Sequence, residues 1–185
     1  MFIEVDYYIN KAAYDTVNDT SYCGLQPYKL YTTLTIKTII MTVKKKVVKK
    51  KGLKYWITRT DKYFHRYIRL KNTDKEGKGN CYTCDVPLEF KKTQAGHFIG
   101  RAFKSTRWME SNVKIQCARC NGFMEGRQFE FSLKLGMPLA KKLLARSKRA
   151  WVKTEEEYAL LVAYWKEKCE YEESKKVWYG SCSSK

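Results

Sequence analysis

The 185-residue chain has no run of about 18 apolar residues, the length a helix needs to cross a bilayer, so no membrane-spanning helix is expected. It opens without the basic start and apolar core of a secretory signal, which sets the expectation of a reducing, intracellular setting. Its seven cysteines are an odd number, which suits a disulfide scaffold poorly. Histidine is scarce: His65 and His97 are the two in the chain. Acidic residues are also few, 19 against 37 Lys and Arg, and the net charge of +18 points to a polyanion partner, nucleic acid first. A soluble basic surface is the plainer reading of the same number.

What is present centres on the cysteines. Cys81-x-x-Cys84 and Cys117-x-x-Cys120 are two C-x-x-C pairs. Each pair can aim two thiolates at one ion, and together they make the tetrahedral Cys₄ set of a structural zinc. Buried or redox cysteines are the alternative. Thirty-two residues separate the pairs, well above the ~15–20 of a simple zinc ribbon. Four cysteines leave zinc no open position, so His97, within that interval, is not needed as a ligand. Cys23, Cys169 and Cys182 have no metal-type spacing.

The remaining chain divides by composition. Residues 1–43 form an extension; its first 40 residues net −1, so the excess charge lies after them. Leu30 to Val43 is β-prone, and Met41 is a candidate start of the working protein. Residues 44–52 are a lysine-rich arm, either tracking phosphates or solubilising the chain. Residues 53–151 carry the main domain. Leu53, Trp56, Ile57, Tyr63, Phe64, Tyr67 and Ile68 recur at helical steps and predict an amphipathic helix over Leu53 to Leu70. Lys54, Lys62, Arg66 and Arg69 lie largely off that stripe and are candidate DNA-backbone contacts, with His65 expected at the surface among them. Short strands are expected at Val86 to Phe90, Thr93 to Ile99 and Val113 to Gln116. The second Cys pair is expected to open a helix over Ala118 to Leu135, closed by Gly136 and Pro138. Leu139 to Trp151 reads as a basic helix. In the tail, 152–185, Thr154 with Glu157 is a capping box, and Tyr158, Leu161, Val162, Trp165 and Cys169 form one stripe of a last helix. That stripe packs on the domain or forms a homodimer seam. Gly180 to Lys185 reads as frayed.

These residue types suit phosphodiester hydrolysis. His97 can take a proton at neutral pH. Asn121 can cap a helix or offer an amide oxygen to Mg²⁺ or Mn²⁺; on an α-helix Glu125 would share its face and add a carboxylate. Asn112 can pin a loop or orient an imidazole. Arg101 and Arg107 can clamp phosphates.

The arrangement Cys81-x-x-Cys84, Gly96-His97, Asn112, Cys117-x-x-Cys120-Asn121 resembles an HNH endonuclease of the His-Me finger superfamily. The text around it, Tyr67-Ile-Arg-Leu70, Gln94-Ala-Gly-His-Phe-Ile-Gly-Arg101, Thr106-Arg-Trp108, Asn112-Val113, Gln116-Cys117, Gly126 and Phe129-Glu-Phe131, resembles the phage lambda NinG (Rap) recombination proteins over about residues 53–150. The resemblance implies an α+β fold: a zinc-stabilised ββα-metal (HNH) core flanked by amphipathic helices. It implies an enzyme that cuts branched DNA such as Holliday junctions and D-loops, acting in the cytoplasm of a host cell, with structural zinc and a catalytic Mg²⁺ or Mn²⁺. His97 would be the general base, Asn121 a metal ligand and Asn112 the loop-fixing residue. Symmetric cutting of a four-way junction makes a homodimer plausible. The wider HNH pattern places an Asp or His before the base, where this chain has Gly96. The metal shell is then completed by Glu125, Glu130 or a neighbouring acid, or His97 binds the metal itself. A non-catalytic zinc module that binds DNA, or less readily RNA, is the alternative function.

Overall fold

The computed structural model describes residues 51–176. The extension, the candidate start Met41, almost all of the lysine arm, Cys23, Cys182 and the expected frayed end lie outside the described residues.

Leu53–Lys71 forms the first helix among the described residues, α1. Its period-3.6 apolar stripe buries Phe64, Tyr67, Ile68 and Leu70; removing side chains of this size from water contributes about 1.5–3 kcal/mol each. Two short antiparallel strands follow, β1 (Lys78–Asn80) and β2 (Pro87–Glu89), with Gly79 opposite Leu88. The first Cys pair sits in the turn between them. A second antiparallel pair is β3 (Gln94–His97) and β4 (Val113–Gln116), in which His97 faces Val113 and Gln94 faces Gln116. The connection from β3 to β4 contains a single-turn helix, α2 (Lys104–Arg107). After β4 come α3 (Gln128–Leu135), α4 (Met137–Ser147) and α5 (Glu155–Ser174). Helices with small sheets make the fold α+β.

The last helix packs along the first. Glu155 accepts from Trp56 Nε1 at 3.2 Å, Trp165 meets Phe64 edge-on at 4.8 Å, and the Cys169 thiol donates to the Tyr63 carbonyl at 3.1 Å. Glu155 meets Trp56 near the start of both helices and Glu173 pairs with Arg66 toward the end of both, so α1 and α5 run parallel. Thr154 and Glu157 form the expected capping box: Thr154 N–H donates to Glu157 Oε2 at 2.8 Å, and Glu157 N–H donates to Thr154 Oγ1 at 3.3 Å. The stripe proposed as a possible dimer seam is therefore packed on α1, with Tyr158, Trp165 and Cys169 in the core beside Trp108, Val113 and Ile115. No helix among the described residues is long and apolar enough to cross a membrane.

The structure corrects the helix expected over Ala118 to Leu135. The chain makes one π-type turn, Arg119–Phe123, and then leaves helical geometry. Glu125, Gly126 and Arg127 all adopt positive φ, at 48°, 85° and 49°. The cause lies at the cysteine pair: Gly126 N–H donates to the Cys120 carbonyl at 2.8 Å, and Gly126's own carbonyl accepts from the buried Gln116 amide at 2.8 Å. Those two bonds fold the segment back over the Cys pair before α3 begins.

Candidate active site and metal centre

The four cysteines converge. The Sγ atoms of Cys81, Cys84, Cys117 and Cys120 all lie within 4.8 Å of one another, with Cys84 and Cys117 at 3.9 Å. A tetrahedral zinc with bonds of about 2.3 Å needs S–S edges of about 3.8 Å, so the donor set fits zinc. Backbone N–H groups already point at sulfur: Cys117 N to Cys81 Sγ at 3.3 Å and Cys120 N to Cys117 Sγ at 3.4 Å. Burial opposes ionisation of Cys81, but hydrogen bonds from Thr83 and from backbone amides outweigh it and bring the thiol down to about 6. Burial and the neighbouring thiols push Cys84 up to about 12. Zinc binds cysteines as thiolates, so loading the ion releases protons.

His97 ends β3. Its Nε2 lies 3.1 Å from the Arg107 carbonyl. A carbonyl only accepts, so Nε2 carries the hydrogen and Nδ1 keeps the lone pair. Burial, then the adjacent His65, push its proton affinity down to about 4, against the opposing bond to the Arg107 carbonyl. At neutral pH the imidazole is therefore uncharged and able to accept a proton.

Arg107 is held from α1. Asp61 takes its Nε at 2.9 Å and pairs with its Nη2, and also accepts from Trp108 Nε1 at 2.8 Å. Burial raises the Asp61 carboxyl, but these bonds outweigh it and hold it below its ordinary value. Sequence reasoning missed both Asp61 and His65. His65, expected at the surface, is largely enclosed: its ring stands 5.3 Å from that of His97, edge-on at 80°. The available signal was spacing, since His65 lies one helical turn after Asp61 and directly follows the core residue Phe64.

Asn112 is fully buried. Its Oδ1 accepts from Ile99 N–H at 2.7 Å, and its Nδ2 donates to the Ile99 and Thr106 carbonyls, both at 3.0 Å. The residue closes the β3–β4 loop across its neck. Of the two roles weighed for it, the geometry is that of pinning the loop; its side chain hydrogen-bonds to no atom of His97.

Asn121 lies within the π-type turn and donates to Gln94 Oε1 at 2.8 Å, beside the start of β3. Its own Oδ1 has no hydrogen-bond partner among the described residues. Glu125 is exposed and left-handed, so the shared α-helical face expected for Asn121 and Glu125 does not exist. Glu130 pairs with Arg127. Gly96 has a structural cause: a Cβ there would stand 1.9 Å from Gln116 Oε1, which leaves no room for a metal-binding side chain before His97. Among the described residues, the four cysteines are the sole group of three or more His, Cys, Asp or Glu gathered for an ion. The donors of the described residues alone therefore do not make a full catalytic Mg²⁺ or Mn²⁺ shell.

The expected DNA contacts divide in two. Arg66 pairs with Glu173. Arg69 donates to Thr93 Oγ1 at 3.1 Å and the Phe90 carbonyl at 2.7 Å, and lies over the Phe90 ring. Arg107 is committed to Asp61 and to the Arg101 carbonyl. Arg101 and Lys54 are exposed.

Residues 37–171 match the family model described as Bacteriophage Lambda NinG protein. No curated protein and no solved structure matches the chain.

Proposed function

The chain belongs to the bacteriophage lambda NinG family, and from that premise we propose that it is an HNH-type endonuclease that hydrolyses phosphodiester bonds in branched DNA during phage recombination. The observation that carries this reading is His97 Nε2 held on the Arg107 carbonyl at 3.1 Å. A histidine fixed that way presents Nδ1 as a base of known tautomer. Nδ1 takes a proton from a water molecule as its oxygen attacks phosphorus, and the bond from phosphorus to the leaving oxygen breaks in line with the attack. Asn112 keeps the loop that carries Arg107 in place, and the exposed Arg101 is positioned in sequence to meet a phosphate. Zinc on Cys81, Cys84, Cys117 and Cys120 is structural. A divalent cation, Mg²⁺ or Mn²⁺, supplies neutralisation of the charge that develops on the leaving oxygen. Asn121, through its amide oxygen, is the residue that would offer it a ligand, with water and the DNA phosphate supplying the rest of the shell. The work takes place in the host cell, and two copies would serve the two strands of a four-way junction.

A second reading rests on Gly96 and on the absence of a second donor cluster among the described residues: a zinc-held module that binds DNA without cutting it. One experiment separates the two. A labelled four-way junction, linear duplex and single strand of the same sequence are incubated with Mg²⁺, Mn²⁺ or EDTA, with the wild-type protein and His97→Ala. The nuclease reading expects metal-dependent cutting of the junction, reduced by about 100-fold or more in His97→Ala while binding persists. Binding without cutting under every metal would select the second reading.

A further inference from the structure

The reaction proposed above leaves the chain's other histidine without a task. His65 sits on α1, between the core residue Phe64 and Arg66. One face of its environment is Phe64, with ring centroids 6.1 Å apart. Another is His97, at 5.3 Å and 80°. His65 Nε2 is sealed from solvent and has no hydrogen-bond partner. That last fact decides what kind of contact the two histidines make through this nitrogen. A proton relay needs a hydrogen bond, and His65 Nε2 makes none, so the geometry is one of ring packing.

We propose that His65 is a positioning residue for the base: its ring walls the His97 imidazole, fixing the plane of that ring and keeping solvent from it. The inference rests on the nuclease reading for its effect on rate, though not for its effect on His97 itself. Nε2 of His97 is tied to the Arg107 carbonyl at one point. A single hydrogen bond leaves a ring free to tilt about it, and an edge-on neighbour removes that freedom.

The charged groups around the pair point the same way. His65 is faced by Asp61 and by Arg101, Arg107 and Arg69; His97 is faced by His65, Arg101 and Asp61. Burial is the largest influence on both rings, and it disfavours the charged form of each. For His65, Asp61 is the next largest influence and favours the charged ring, while Arg101, Arg107 and Arg69 oppose it; for His97 the next is His65, which disfavours it. The pair is therefore a site in which neither imidazole readily takes a proton from bulk solvent, which leaves the base available to a bound water.

With only two histidines in the chain, the test is direct. Protein labelled with ¹⁵N in histidine is titrated by NMR as the zinc-loaded full chain, for wild type, His65→Ala and His65→Phe. Cutting of a four-way junction is followed in parallel, with kcat and KM separated. In His65→Ala solvent reaches the His97 ring, so its titration midpoint rises by about one unit or more toward the ordinary histidine value. The same variant loses about tenfold in kcat with KM nearly unchanged, and the acid limb of its pH–rate profile moves up with the midpoint. In His65→Phe, which restores a flat edge of similar size, the midpoint stays low and most of kcat returns. If His65→Ala does not fold, His65→Leu takes its place, since it fills the space without a planar edge. A His97 midpoint and kcat unchanged in His65→Ala would overturn the proposal. So would a His65→Phe variant that folds yet is as impaired as His65→Ala, because the nitrogen rather than the wall would then be at work. The NMR midpoint needs no cleavage, so a chain that cuts nothing would refute the nuclease reading and still decide the role of His65.

Discussion

The cysteine centre and the His97 pocket lie at opposite ends of one strand pair and are built on opposite plans. The cysteine centre gathers four donors of one kind, each supplied by a short local turn, around a point that an ion can fill. The His97 pocket holds one imidazole whose surroundings come from far along the chain: the Arg107 carbonyl from the loop, the His65 ring and Asp61 from α1. Arg107, Asp61 and Trp108 beside it are engaged with one another. The first plan makes a metal part of the fold. The second makes an imidazole part of the fold and, on the proposed reading, leaves any reaction metal to be completed by water and substrate. A structural ion must bind before the substrate arrives, whereas a hard cation at a phosphate does not need a full protein cage.

The largest effect should separate the two plans outright. Removing zinc with a chelator, or replacing Cys120 with Ser, deletes an interaction of about 10 kcal/mol or more in zinc-held folds. The expected result is loss of stoichiometric zinc by elemental analysis together with loss of a cooperative thermal transition by circular dichroism. His97→Ala should leave both intact. A zinc-free protein that melts like wild type would break the contrast. Next in size is Asn112→Ala. It removes a fully buried amide that makes three hydrogen bonds across the loop neck, and it strands the Ile99 and Thr106 groups it served. A loss of about 3 kcal/mol is expected in denaturant unfolding, because unsatisfied buried groups cost more than their bonds contribute. Zinc content should not change, since the neck lies in the β3–β4 loop, away from the Cys pairs.

The same contrast explains what the sequence disclosed. The four-cysteine cluster was legible because C-x-x-C fixes two donors within one turn, and the rest needs only that the two turns meet. α1 and β4 were legible for a similar reason: their apolar spacing is local, and the structure places them at Leu53–Lys71 and Val113–Gln116. The capping box at Thr154 is a four-residue motif. What failed was whatever depended on tertiary bonds. The helix expected through Glu125 is broken by bonds from Gly126 to Cys120 and Gln116, although Gly122 and Gly126 were a visible warning. His65 reads as a surface residue among lysines and arginines until α5 and β3 cover the helix on which it sits. Arg66, Arg69 and Arg107 look like free cations in a basic sequence, yet each has an acid or a carbonyl waiting in the fold.

Acid should reveal the pocket in the stability of the whole chain. His97 is held at about 4 in the folded protein, against an ordinary 6.5. Between those values the unfolded chain binds a proton that the folded chain refuses. Stability is therefore lost as pH falls from about 6.5 to about 4, by about 3 kcal/mol in total, and this group contributes no pH dependence above the window. Acid also protonates zinc thiolates, so the informative quantity is the difference between wild type and His97→Ala across the window. That difference should shrink on acidification; parallel curves would mean that His97 titrates normally and the pocket is open.

The smallest effect belongs to Gly96, where the two plans touch. Gln116 reaches from the strand leading into the second Cys pair, donates to Thr83 Oγ1 at 3.0 Å and to the Gly126 carbonyl at 2.8 Å, and fills the space in front of Gly96. Thr83 in turn lies 3.5 Å from Cys81 Sγ. The absence of a side chain before His97 is thus explained by the brace of the cysteine centre. Gly96→Ala should cost about 1–3 kcal/mol, as overpacking of a buried site does. Pairing it with Gln116→Ala, which frees the space, should recover part of the Gly96→Ala loss relative to the sum of the two single changes. Gly96→Asp should fail to add a metal ligand for the same reason: its carboxylate meets the Gln116 side chain before it can face a cation. Tighter Mn²⁺ binding by Gly96→Asp in calorimetry, with stability unchanged, would show that the brace yields, and that the pocket lacks only one carboxylate to hold a metal as firmly as the cysteines do.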